Sequence, residues 1–292
     1  MSLASMARLE ARVDAVDTML CVGLDSAVER LPERFRDEDA PQLAFNRWIV
    51  DQTHPAVAAY KANMAFYEAR GEQGWRELAE TMVYLRSVDP GIFTICDAKR
   101  ADIDSTNAGY VAGLLDGLGF DAITLHPWLG GEALRPFLAR ADKVSIVLCR
   151  TSNPGAGELQ DLRVEGVPLW EVVARRVRDA WSVEGSCMLV IGATYPAELR
   201  RARELCRDMW FLVPGVGAQG GDVDEVVRNG LDRRGRGLLI NASRSVIFAA
   251  DPAAEAERLR LEIAAAAAET AAAETAAAAT AAAAAAQLEG SP

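Results

Sequence analysis

The 292-residue sequence predicts a (β/α)8 barrel, and two observations carry that prediction. Short apolar runs alternate with helical segments eight times along the chain, which implies a parallel sheet able to close on itself. The runs are also nearly continuous in apolar residues, as expected when both faces of a sheet are covered. A doubly wound open sheet is the alternative arrangement of the same elements.

The elements follow in regular order. Leu20 to Asp25 is a first strand that ends in an acid, followed by a Pro- and charge-rich segment and helical periodicity from Ala44 to Thr53. Val57 to Met64 is the second strand and carries Lys61, with a helix from Trp75 to Ser87 behind it. Gly91-Ile-Phe-Thr-Ile-Cys96 is the third, short, β-branched and bounded by Pro90. A helix from Asn107 to Leu118 stops at Gly119, before the fourth strand, Ala122 to His126, and a helix from Glu132 to Arg140. The fifth and sixth strands are Val144 to Cys149 and Cys187 to Gly192, with helices from Leu169 to Ser182 and from Pro196 to Arg207. Trp210 to Val213 and Gly237 to Asn241 complete the set, with a short helix from Val223 to Asn229 between them and a last helix from Pro252 onward. Residues 1–263 are thus read as one barrel, whose length is ordinary for this fold. Residues 264–292 form an alanine-rich tail, helical or disordered, with no apolar stripe to dock.

Composition narrows the function. Half of the residues are hydrophobic and a quarter charged, an ordinary globular balance. The formal net charge of -11 argues against general affinity for nucleic acid or anionic lipid, so an anionic small substrate needs a local cationic pocket. The five cysteines are odd in number and contain no C-x-x-C pair, which reads as reduced thiols in a cytoplasmic protein. Apart from the alanine tail no apolar stretch is long enough to span a membrane, and no secretory leader is recognisable.

The chemistry gathers where a barrel of this kind builds its site, at the C-terminal ends of the strands. Alternation along the third strand puts Phe93, Ile95, Asp97 and Lys99 on one face, two apolar residues followed by an acid and an amine. Asp102 lies beyond the strand end. Opposite charges ~4 Å apart attract by ~1 kcal/mol in water and by ~4 kcal/mol at an effective dielectric of 20, so such a cluster gains most where water is thinned out. Asp25 ends the first strand, Lys61 lies in the second, and Ser152 follows the fifth. Pro214-Gly-Val-Gly-Ala-Gln219-Gly-Gly221 follows the seventh strand and Ser243-Arg244 the eighth. Loops in these two places are the usual phosphate site of such barrels: glycines let the backbone approach closely, Gln219 can donate and Arg244 can bind bidentately. A tight βα turn is the other reading of the glycines, and Arg244 after the next strand favours phosphate.

Together, Asp25, Lys61, Asp97-Ala-Lys99-Arg-Ala-Asp102-Ile, Ser152-Asn-Pro-Gly-Ala156, Pro214-Gly-Val-Gly-Ala-Gln219 and Ser243-Arg244 resemble the orotidine 5′-monophosphate decarboxylase family, most closely its longer bacterial branch. The resemblance runs from about Leu20 to Asp251 and implies a TIM barrel that converts orotidine 5′-monophosphate to uridine 5′-monophosphate and CO2, the last step of de novo pyrimidine nucleotide synthesis. It implies that Lys99 donates the proton to C6, that Asp97 sits beside the departing carboxylate, and that Lys61 bridges the acids and a ribose hydroxyl. Asp25 would also hold the ribose, Ser152 the pyrimidine, and Gln219 and Arg244, beside Pro214, the phosphate. Asp102 and Thr106 would reach into the site of a neighbouring subunit, making the protein a homodimer. No metal and no cofactor is expected. The segment from Gly155 to Pro168 is longer than in short members of the family.

Loss of CO2 from C6 leaves an in-plane sp2 carbanion that the ring π system cannot delocalise, so the protein must supply the electrostatics. An ammonium stabilises that charge and then transfers its proton. Two other readings use the same residues. A Mg2+-dependent sugar-phosphate decarboxylase of the superfamily calls for an acid near the end of the second strand, where Lys61 is followed instead by Ala62 and Asn63, with Glu68 further away. The other is a nucleotide-phosphate binding barrel without catalysis.

Overall fold

Apolar strands with no polar interruption must bury both faces, and a ring of parallel strands wrapped in helices satisfies that demand. The computed structural model describes residues 4–289 apart from Glu184, Ala218 and Gln219. Its barrel strands are β1 (Leu20–Gly23), β2 (Ala59–Asn63), β3 (Phe93–Arg100), β4 (Ala122–Leu125), β5 (Val144–Arg150), β6 (Cys187–Ile191), β7 (Phe211–Pro214) and β8 (Leu238–Ala242). Each pairs in parallel with its neighbours. The ring closes at β1, where Leu20 lies opposite Ile240 of β8 and Cys21 opposite Ala59 of β2. The fold is therefore the closed (β/α)8 barrel and not the open sheet.

Around it lie α1 (Ala4–Val16), α2 (Pro41–Thr53), α3 (Gly71–Val88), α4 (Asp104–Tyr110), α5 (Gly130–Leu138), α6 (Leu169–Arg176), α7 (Pro196–Leu205), α8 (Val223–Gly230) and α9 (Pro252–Glu289). The chains of α4 and α6 continue in wider π-helical turns to Gly117 and Trp181. The sequence reading did not anticipate α1. Its Met6, Leu9 and Val13 share one helical face and are buried. Its Arg12 donates to the carbonyl of Val57 at 3.0 Å and to the Asp89 carboxylate at 2.6 Å, residues that precede β2 and β3. This helix therefore covers the end of the barrel opposite the polar strand ends.

The long segment after β5 acquires structure of its own. A short helix, Gly157–Gln160, leads into a small hairpin that pairs Arg163–Val164 with Val167–Pro168. Its turn, Glu165-Gly166, has φ of 52° and 80°, the left-handed pair that suits a two-residue hairpin.

In α9, Ala256, Leu259, Ile263 and Ala266 form a buried stripe against the barrel, where the helix packs on α8 and α2. Beyond Thr270 the described side chains are exposed. Ending the chain after Thr270 should therefore move the thermal midpoint by about 1 °C or less, because exposed residues contribute under ~0.5 kcal/mol. Leu259→Ala should cost about 2–4 kcal/mol in a denaturant titration. A large loss on truncation would show that the exposed part of α9 supports the fold.

Candidate active site

Side chains from the C-terminal ends of the strands converge on a cavity of about 470 Å3. Its lining includes Asp25, Lys61, Asp97, Lys99, Ser152, Pro214 and Arg244. Lys61, only 4% exposed, rises from β2 until its Nζ lies 3.0 Å from Asp97 Oδ2 and 3.5 Å from Asp25 Oδ1. Lys99 Nζ lies 2.6 Å from the other Asp97 oxygen, Oδ1. Charges thus alternate across three neighbouring strands: acid, amine, acid, amine.

These neighbours set the protonation states. Burial alone would raise the Asp97 carboxyl, but the ammoniums of Lys61 and Lys99 outweigh it and hold the group well below the usual carboxylate range. Burial alone would strip Lys61 of its proton, but Asp25 and Asp97 raise it above the ordinary lysine range. Lys99 differs from Lys61 in exposure: its side chain is 49% open to the cavity mouth. Beneath the cluster, the buried Cys21 thiol is pushed up to about 12 by burial and donates weakly to Asn241 Oδ1 at 3.6 Å. All five cysteines are buried and free.

Lys99 reaches the cavity by a route the alternation argument did not contain. The β3–β4 ladder breaks between Cys96, opposite Ile123, and Arg100, opposite Leu125. Within that bulge Lys99 has φ of 49°, a left-handed conformation uncommon for a residue with a Cβ. Thr124 of β4 lines the cavity at this point, its Oγ1 2.9 Å from Lys99 N and 3.0 Å from Asp97 Oδ1. Sequence reasoning passed over Thr124 as one member of an apolar strand; the available signal was a hydroxyl inside Ala122-Ile-Thr-Leu125 at active-site height.

Loops are braced from behind. Tyr67 Oη donates to the carbonyl of Leu24 at 2.8 Å and accepts from Asn46 Nδ2 at 3.0 Å, which holds the turn that carries Asp25. At the end of β5, the buried Arg150 stacks on Tyr195 at 3.9 Å and donates to Gln160 and Asp161, each at 3.3 Å. Gln160 in turn accepts from Thr151 N–H at 2.9 Å, so the short helix is tied beside Ser152, and Gln160 itself lines the cavity.

On the opposite wall, Gly215 has φ of 107°, which only glycine adopts without strain, and turns the chain directly after β7. Arg244 is exposed to the cavity and, among the described residues, has no carboxylate partner. Phe248, at the end of its short helix, stacks on Phe45 of α2 with ring centroids 5.8 Å apart. Gln219 lies outside the described residues.

Asp102 and Thr106 are not brought to this cavity within the chain. Asp102 is held at the start of α4, its N–H donating to the buried Asn107 Oδ1 at 2.8 Å, and Thr106 is exposed on that helix. His126 turns away as well, into a neighbouring apolar pocket of about 340 Å3 beside Trp128, Trp170 and Trp181. Among the described residues, no group of three or more His, Cys, Asp or Glu side chains is arranged to hold a metal ion.

Residues 18–259 match the model of the orotidine 5′-phosphate decarboxylase / HUMPS family. The chain belongs to that family. Named orotidine 5′-phosphate decarboxylases from Cellvibrio japonicus and Halorubrum lacusprofundi are 44% and 47% identical to it over 237 and 245 residues. Those alignments cover 80% and 82% of this chain and 86% of each relative. The solved structure of Leishmania donovani OMP decarboxylase superposes with a TM-score of 0.82 at 39% identity, covering 91% of this chain and 99% of that one. No described helix is long and apolar enough to cross a membrane.

For this decarboxylase-family barrel the charge array makes stability depend on pH, because Asp97 and Lys61 are both shifted from their unfolded values. Its pH window follows from the two shifts. Asp97, depressed in the fold, contributes stability above its unfolded value of ~3.9 and loses it as pH falls through the folded value. Lys61, raised in the fold, contributes below ~10.4 and loses it as pH rises through its folded value. Lys61→Met leaves Asp25 and Asp97 short of a countercharge and should cost on the order of 3 kcal/mol at pH 7. Protonation of those acids relieves the penalty, so the gap in melting temperature to wild type should shrink toward pH 4. A gap that stays constant from pH 8 to pH 4 would contradict the ion-pair account.

Proposed function

We propose that this protein decarboxylates orotidine 5′-monophosphate to uridine 5′-monophosphate and CO2, with no metal or cofactor, and that Lys99 delivers the proton to C6. The observation that carries the reading is the pair of contacts on Asp97. One ammonium is buried and fixed on Oδ2, and a second, half-exposed, meets Oδ1 at 2.6 Å and faces the cavity. Family membership supports the reaction, and the charge array supports the mechanism.

In that mechanism the remote groups bind first. Arg244, with the glycine-rich turn after Pro214 and Gln219, takes the phosphate, while Asp25 and Lys61 hold the ribose and Ser152 the pyrimidine. The C6–carboxylate bond is then laid beside the fixed negative charge of Asp97. When it breaks, CO2 leaves and the electron pair stays on C6, where the Lys99 ammonium stabilises it. The N–H bond of Lys99 breaks as the C6–H bond forms, leaving a neutral amine and uridine 5′-monophosphate. Solvent returns the proton, which the exposure of Lys99 permits. Each tenfold in rate needs ~1.4 kcal/mol of stabilisation specific to the transition state.

The donor set does not invite a divalent cation between Asp25 and Asp97, because the Lys61 ammonium already occupies that position. Loss of orotidine 5′-monophosphate absorbance on adding purified protein tests the function. Activity abolished by a chelator would favour the metal-dependent reading, and binding without turnover the non-catalytic one. Lys99→Ala should remove turnover while uridine 5′-monophosphate binding stays largely intact; an active Lys99→Ala enzyme would sink the mechanism.

Asp102 and Thr106 complete the site from a second copy of the chain, in a homodimer of the cytoplasm. Their position outside the chain's own cavity supports this assignment. A two-fold interface builds both sites alike, so Asp102→Ala and Lys61→Ala should each be nearly inactive alone. A mixed dimer of the two holds one intact site. Random exchange makes about half of the dimers mixed, so about a quarter of wild-type activity should return. If exchange is verified and activity does not rise, Asp102 acts within its own chain.

A further inference from the structure

We infer that Thr124 is a positioning residue for this reaction, its hydroxyl locking the bulge of β3 that carries Asp97 and Lys99. The inference rests on the function proposed above. Between the ladder pairs Cys96–Ile123 and Arg100–Leu125, β3 has Asp97, Ala98 and Lys99, whereas β4 has Thr124 alone. Such a bulge leaves backbone groups of the longer strand without ladder partners. The Thr124 hydroxyl takes one of them, accepting from Lys99 N–H at 2.9 Å. It keeps its own proton and donates it to Asp97 Oδ1 at 3.0 Å. Chemistry fixes the direction, because an N–H only donates and an ionised carboxylate only accepts. One hydroxyl, on a residue 1% exposed, thereby ties the backbone of the proposed proton donor to the side chain of the acid beside it.

The lock bears on two freedoms, the backbone of Lys99 and the carboxylate of Asp97, and it shares the second with the two ammoniums. Lys99 sits in a left-handed conformation that its Cβ disfavours, and the bond to its N–H opposes relaxation toward an extended strand. The terminal torsion of an aspartate is broad, so rotamer preference does not orient the Asp97 oxygens. With Thr124 and Lys99 on Oδ1 and Lys61 on Oδ2, both oxygens have fixed donors. Without the hydroxyl, the carboxylate turns and the Lys99 ammonium drifts from the point where the proton is delivered. The groups proposed to hold phosphate and pyrimidine are on other strands and stay in place. The effect therefore belongs to kcat rather than to binding.

Thr124→Val keeps the shape of the side chain and removes the hydroxyl. It should lower kcat about thirtyfold, ~2 kcal/mol at 1.4 kcal/mol per tenfold, with KM and uridine 5′-monophosphate affinity within about threefold of wild type. Thr124→Ser returns the hydroxyl without the methyl and should bring kcat back to within about threefold of wild type. A packing role predicts the reverse order, with Val better than Ser, and parallel losses of product affinity and melting temperature; that pattern overturns the inference. If Thr124→Val does not fold, Thr124→Ala is compared with Thr124→Ser on the same measurements. If neither Val nor Ala yields a chain that binds product, the residue is structural and the inference fails. An inactive wild type defeats the proposed function itself, whereas an active wild type with an unimpaired Thr124→Val defeats only the role of Thr124.

Discussion

A carboxylate buried at the top of an apolar barrel stays ionised only if countercharges are built in beside it, and the upper layer of this structure follows from that requirement for Asp97. The strand register explains why lysine serves. Asn63, not Lys61, lies opposite Asp97; Lys61 lies opposite Ile95, one layer lower. Its long side chain climbs the height of two strand residues, roughly 6.6 Å, to reach the carboxylate. Asp25, two residues beyond β1, then balances the same ammonium from the other side. Three consecutive strands are thus coupled through one chain of alternating charge, and a one-residue slip in either pairing would take Lys61 off the inner face.

Barrel and site were legible in the sequence for different reasons. The strands were readable because each is an apolar run interrupted by Gly, Pro or charge; their count suggested a barrel, and the pairing of β1 with β8 closes it. Asp25, Lys61, Asp97, Lys99, Ser152, Pro214 and Arg244 were readable because polar residues at strand ends are conspicuous against such runs, and the structure gathers them around one cavity. What escaped depends on contacts between distant segments. The stripe of Met6, Leu9 and Val13 in α1 shows its purpose only against the lower end of the barrel. Strict alternation gave the right face for Lys99 by the wrong route, since a bulge is a property of two strands and not of one. Thr124 was invisible for the same reason. The brace from Arg150 to Tyr195 joins loops 45 positions apart, and no local pattern announces it.

The two lysines show how one residue type is given two tasks by its surroundings. Lys61, sealed between two acids, is a fixed charge that solvent barely reaches. Lys99 touches one acid and the open mouth, with half of its side chain exposed. Depth, rather than sequence neighbourhood, separates them.

The left-handed backbone at Lys99 sets local strain against charge balance at a single position. Glycine or asparagine would suit that conformation better than lysine does, but either would also take one of its two countercharges away from the buried Asp97. Backbone relief and charge balance therefore pull in opposite directions at position 99. A stabilisation campaign that relaxes the backbone elsewhere keeps the ammonium on Asp97 and avoids that conflict.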